Sequence, residues 1–156
     1  MPDHDDTRLV QDIVALHRDA HDMLRAAIAG LDSATLGWVP GPEQSAIGMI
    51  ITHACGAEAE MLRNVLGIPT DRDRPAEFAG GPYTPAGLLA LLDAADADWA
   101  ILAPRIDSAT LRADHSRPRK PAPQSGLYWI MRNYGHLREH VGEIGLTRQL
   151  YARHAA

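Results

Sequence analysis

The chain contains one cysteine, Cys55, in 156 residues, which excludes an internal disulfide and a cluster of metal-bound thiolates. It has one phenylalanine, and aromatic residues make up only 5% of it. With β-branched residues also scarce, little remains of the vocabulary that pleated sheets favour. Positive charge is not in excess either: 15 Lys and Arg face 20 Asp and Glu, for a net charge of -5. A nucleic-acid binder would show a basic surface, so that class is excluded. No uninterrupted apolar run approaches membrane-spanning length. The opening Met1-Pro2-Asp3-His4-Asp5-Asp6 is acidic and polar, unlike a signal peptide. These absences lead to the expectation of a soluble, cytoplasmic protein with no nucleic-acid or membrane partner.

What is abundant is the alphabet of helices. Apolar residues reach 46%, much of it Ala and Leu. The length suits one domain spanning residues 1–156. Four helical segments are expected. The first runs from about Thr7 to Ala29, where Val10, Val14, His17, Leu24, Ile28 and Leu31 recur at three- and four-residue steps, and Gly30 is a stop signal. Pro40 and Pro42 break the chain. Ser45 is placed to cap a second helix from Ala46 to Leu66, closed by Gly67 and Pro69. Thr84-Pro85 opens a third helix to Ala103, with the stripe Leu88, Leu92, Ala95, Trp99 and Leu102. Ser125 caps a fourth, from Gly126 to Ala152. Residues 68–83 read as loop. So does 104–124, an irregular surface segment rich in proline and carrying Arg112, Arg117, Arg119 and Lys120. The pattern describes an all-α, antiparallel four-helix bundle.

The chemistry lies on the second and fourth helices. His136 and His140 are four residues apart, one above the other on a helix, where two imidazoles can share one metal ion. Trp129, Asn133, Glu143 and Thr147 share their face, and a large aromatic among polar groups suits a cleft at a bundle edge. A catalytic zinc-type site needs three protein ligands and an open position. His53, in a largely apolar segment beside Met49 and Ile50, is a candidate for the third. Cys55 lies about 200° around the helix from His53, cannot face the same ion, and reads as a small buried hydrophobe. His17 and His21 repeat the four-residue spacing on the first helix, and spacing alone does not choose between the two pairs.

Trp38-Val39-Pro40, Ser45, His53, Glu58, His136, His140, Gly142, Arg148 and Leu150-Tyr151 stand in an order and spacing that resembles the DinB/YfiT-like superfamily. The likeness extends over nearly the whole chain apart from the two loops. It implies a four-helix bundle with a crossover connection, often dimeric, and a histidine triad for zinc or nickel on His53, His136 and His140. It gives His17 and His21 no role, so they are expected as core and flank. Glu58 lies about 140° around the helix from His53, which argues against direct ligation. As a buried carboxylate beside the site it is expected to receive hydrogen bonds from a neighbouring helix terminus or loop.

Characterised members of that superfamily are thiol-dependent enzymes, including mycothiol- and bacillithiol-dependent transferases. The resemblance therefore implies S-transfer or thiol-assisted isomerisation of a small molecule, with a low-molecular-weight thiol as cosubstrate. A metal-dependent hydrolase is the alternative. It needs a general base near a metal-activated water, and Glu143 is the one sequence-local candidate. A stress or interaction protein whose metal only clamps two helices is the third reading.

Overall fold

The computed structural model describes residues 4–117 and 120–156. Met1 to Asp3 of the acidic start, and Pro118 and Arg119 of the basic segment, lie outside them. Four long helices carry the structure: α1 (His4–Ile28), α3 (Ile47–Val65), α5 (Pro85–Leu102) and α7 (Gly126–His154). Between them come the short helices α2 (Ser33–Gly37), α4 (Arg74–Phe78) and α6 (Ser108–Arg112), a single 3-10 turn at Ala103–Arg105, and a hairpin of β1 (Asp114–Arg117) and β2 (Lys120–Ser125).

Local chemistry sets most of these boundaries. Gly30 and Gly67 adopt φ +74° and +66°, the left-handed region that ends a helix at little steric cost. Thr84 and Ser125 cap α5 and α7 by accepting the backbone N–H of Gly87 and Tyr128. Ser45 does not cap α3. Ala46 occupies that position with no side-chain cap bond, because the helix begins one residue later than the serine requires. The two expected loops also hold regular structure. Asp73 caps α4, whose second residue is Pro75, and Asp107 caps α6. The hairpin forms despite its prolines because, as an isolated two-stranded ribbon, it has edges on both sides that need no N–H.

Two apolar clusters show how the helices run. In one, Leu24 and Ile28 of α1 meet Ile47, Ile51 and Ala54 of α3, Leu88 and Leu92 of α5, and Leu137 and Ile144 of α7. In the other, Ile13 meets Met61, Leu62 and Val65, Trp99 and Leu102, and Trp129 and Ile130. The late part of α1 thus lies with the early parts of α3 and α5, so α1 is antiparallel to both. By the same reasoning α3 and α5 run parallel to one another, and α7 runs parallel to α1. Each of α1 and α3 packs against both α5 and α7. Joining parallel neighbours requires residues 66–84 to return along the length of α3 as a crossover. Full burial of each large aliphatic side chain contributes about 1.5–3 kcal/mol.

A polar layer separates the clusters, made of His17 and His21 on α1, Glu58 on α3, Asp96 on α5 and Asn133 on α7. His21 is fully buried, so it belongs to the core and not to a flank. Its Nε2 and Nδ1 lie 2.7 Å from Glu58 Oε2 and 2.7 Å from Asp96 Oδ1. Burial opposes the charge on His21, but these two carboxylates outweigh it and raise the pKa. Glu58 also accepts from Trp99 Nε1 at 2.7 Å. Its partners are therefore side chains of α1 and α5, not the helix terminus or loop expected from sequence.

Candidate metal centre

α3 and α7 pack side by side, and the crossover passes over the groove between them. His53 of α3 and His136 and His140 of α7 meet there. One ligand nitrogen from each lies within 4.8 Å of the others, and all three rings are half-buried. His136 and His140 bring their Nε2 atoms to 3.0 Å. The other edges of two rings are held by carboxylates. In the Nδ1–H tautomer His53 donates to Glu77 Oε2 at 3.1 Å and His140 to Glu143 Oε2 at 2.8 Å, while Arg72 Nη2, 3.2 Å from His53 Nδ1, donates to Glu77 instead. Fixing the proton on Nδ1 leaves the Nε2 lone pair free, the arrangement in which metal-ligating histidines are usually found.

Electrostatics disfavours protonation of His136 and His53. Burial lowers the His136 pKa to about 3, helped by the positive potential of His140, His53, Arg132 and Arg72. Burial also lowers that of His53, and the hydrogen bond to Glu77 only partly offsets it. Metal binding requires neutral imidazoles, so the donor set fits a divalent ion. Three nitrogens around one zinc-sized ion lie roughly 3.3 Å apart. The His136–His140 pair already stands near that spacing, and a ligand nitrogen of His53 lies within 4.8 Å of both.

The crossover supplies what a reading of the helices misses. Arg72 grips Glu77 with Nε at 2.6 Å and Nη2 at 2.7 Å, and reaches Glu60 of α3 with Nη1 at 2.8 Å. Arg117 of β1 donates to the same Glu60 oxygen. Burial would raise the pKa of Glu60 and Glu77, but the arginines, with His53 in the case of Glu77, pull both below the ordinary carboxylate range. Phe78 packs on His53, ring centroids 4.9 Å apart.

Beside the triad lies a cavity of about 150 Å³, bounded by His53 and His136 at one side and by Trp129, Asn133, Glu60 and several arginines elsewhere. Trp129 and Asn133 thus stand where the sequence suggested a cleft. Trp129 is buried and donates Nε1–H to the carbonyl of His115 at 2.8 Å, tying the hairpin to α7. Asn133 faces both the cavity and His17. Its Oδ1 and His17 Nε2 are buried without a hydrogen-bond partner among the described residues. Glu58 and Glu143 do not line the cavity. Glu58 is turned into the core toward His21, and Glu143 lies half-exposed behind His140, where it holds that ring. Cys55 is buried on another face of α3, and burial raises its pKa to about 12.

The sequence profile of the DinB superfamily matches residues 16–144. The chain belongs to the DinB superfamily. Among solved structures it is similar to YfiT from Bacillus subtilis, described as a probable metal-dependent hydrolase with an unusual four-helix bundle topology. That likeness has a TM-score of 0.65 at 14% sequence identity and covers 94% of this chain and 87% of that one. At this identity the likeness establishes the shared bundle fold. No curated protein matches the chain. This DinB-superfamily bundle has a histidine triad that can hold a metal ion, and no described helix is long and apolar enough to cross a membrane.

Proposed function

We propose that this chain is a metal-dependent enzyme acting on a small molecule, with His53, His136 and His140 as the ligands of a zinc or nickel ion and thiol S-transfer or thiol-assisted isomerisation as its reaction. The carrying observation is that the three imidazoles converge beside a cavity, with no fourth protein ligand in the cluster among the described residues. Three ligands and an open side characterise catalytic sites, whereas a purely structural site is closed by four. A divalent ion in that position favours the thiolate form of a bound thiol, the nucleophilic state. The protein's own part is positional. Glu77 and Glu143 fix the ring orientations of His53 and His140, Arg72 fixes Glu77, and Trp129 and Asn133 wall the space where an electrophile meets the sulfur.

A hydrolase would need a general base at the cavity. Glu143 is occupied with His140 on the outer side, while Glu60 and Glu77 are locked to arginines and depressed in basicity. A carboxylate so held is a poor proton acceptor near neutral pH. This weighs toward thiol chemistry, even though the YfiT description names a hydrolase.

The test begins with metal content, by mass spectrometry, of untagged wild type, His53→Ala and His17→Ala. Near-stoichiometric metal lost only in His53→Ala supports the triad; equal loss in His17→Ala overturns it. Cobalt-loaded protein titrated with 2-mercaptoethanol should then develop a sulfur-to-cobalt charge-transfer band. A spectrum that thiol leaves unchanged rejects the S-transfer reading.

A further inference from the structure

The cavity wall carries Arg72, Arg74, Arg117 and Arg132 against one lining carboxylate, Glu60, in a chain whose net charge is -5. Concentrating positive charge in one concave place of an acidic protein focuses potential there. Two of these arginines are neutralised. Arg72 spends its donors on Glu77 and Glu60, and Arg117 shares Glu60. The other two are not balanced in this way. The Arg74 guanidinium lies over the Phe78 ring, 4.5 Å from its centroid, and pairs with no carboxylate among the described residues. Among the described residues Arg132 pairs only with Glu139, at 3.7 Å and with side chains 43% and 67% exposed. A contact of that length and exposure holds the charge weakly.

We propose that the cavity binds its small molecule through a carboxylate held by Arg74 and Arg132, with the reacting end toward the triad. A planar guanidinium matches a carboxylate with paired N–H donors. The Arg72–Glu77–Glu60–Arg117 network forms a rigid neutral floor that leaves the other two arginines as the charge a ligand meets. Arg74 stacks on Phe78, which in turn packs on His53, so the anion-binding side and the triad are linked by direct contact. A volume of about 150 Å³ is room for roughly five waters at about 30 Å³ each, which suits a short-chain acid or the acidic end of a longer molecule. Only the orientation toward the triad rests on the metal-enzyme reading; the anion recognition stands on the arginines.

Calorimetric titration with succinate and with its neutral counterpart succinamide tests this, on wild type and on the double variant Arg74→Gln/Arg132→Gln. Each protein is titrated as purified and again after chelation, so that direct carboxylate–metal contact is separated from arginine binding. Succinate should bind wild type in both preparations at least tenfold more tightly than succinamide. The double variant should lose at least tenfold in succinate affinity while keeping its circular dichroism and metal content. Equal binding of the two probes, or succinate affinity in the double variant within twofold of wild type, overturns the proposal. Succinate selectivity in a protein that never holds metal would uphold the anion site while rejecting the proposed function. A cobalt–thiolate band without succinate selectivity would do the reverse.

Discussion

Glu77 reaches His53 across the bare backbone of Gly56, where a Cβ would stand 2.2 Å from Glu77 Oε1 and 3.4 Å from Arg72 Nε. The glycine lies one turn beyond His53 on α3 and opens the gap through which the crossover delivers its carboxylate. Gly56→Ala should therefore push Glu77 away and weaken metal binding by roughly 10–100-fold, the usual cost of losing an outer partner of a ligating histidine. Exchanging Gly for Ala inside a helix otherwise favours the helix by about 1 kcal/mol. The metal-free variant should then melt no lower than wild type. Competition with a chromogenic chelator measures the first effect and calorimetry the second; unchanged affinity would mean Glu77 does not tune the site.

Metal removal should lower the melting temperature of wild type, because an ion held between α3 and α7 binds only the folded chain. At a free concentration 100-fold above Kd the stabilisation is about 2.7 kcal/mol. His53→Ala should melt at one temperature with or without chelator. Wild type confirmed to contain metal but melting unchanged after chelation would show that the ion does not bridge the helices.

The buried His21–Glu58 pair, with side chains 1% and 2% exposed, predicts a large loss on truncation. His21→Ala strands Glu58 in the core and should cost about 3–5 kcal/mol in urea unfolding. The pH dependence has a definite sign. Because the folded pKa of His21 is raised above 6.5, its contribution is complete below pH 6.5 and is lost as pH rises through the folded value. His17 has the opposite slope: burial lowers its pKa, so its contribution declines as pH falls below 6.5. The stability difference between wild type and His21→Gln isolates the first term and should shrink from neutral pH upward. A difference that grows with pH would contradict the charged-pair assignment.

Trp129→Phe removes the bond from Nε1 to the His115 carbonyl, together with part of the buried indole, while keeping an aromatic ring. A cost of about 1 kcal/mol is expected, together with faster hydrogen exchange over 114–117 and 120–125. Unchanged exchange there would show that the hairpin is held by other contacts.

The long helices were legible in the sequence because their signals, apolar spacing and caps, are local. Spacing alone does not choose between the two histidine pairs, and the meeting of His53 with His136 and His140 follows from the family resemblance. The carboxylates were not legible. Glu77 and Arg72 come from a segment without periodicity, and their arrival at His53 depends on α3 and α5 running parallel, which only packing decides. Two local signals were available. Asp73 ahead of Pro75 is a cap-and-proline start for α4, and Gly56 in a helical run, one turn past His53, marks a close approach. Glu58 was misplaced for a different reason. Its helix face was read correctly as buried, but its partners lie 37 and 41 residues away, on helices whose depth in the bundle no spacing specifies.

The polar layer also governs how the helices settle on one another during folding. Apolar stripes tolerate sliding, since one leucine replaces another with little penalty. Sliding α1 by one turn, about 5.4 Å, in the direction that brings Leu24 to the level of Glu58 would put hydrocarbon where the His21 imidazole now faces that carboxylate. The penalty of several kcal/mol is comparable to the entire net stability of an ordinary domain, about 5–15 kcal/mol. His21 therefore acts as a key that penalises this stagger of α1 against α3 and α5, and so steadies the frame on which α3 and α7 gather the three histidines.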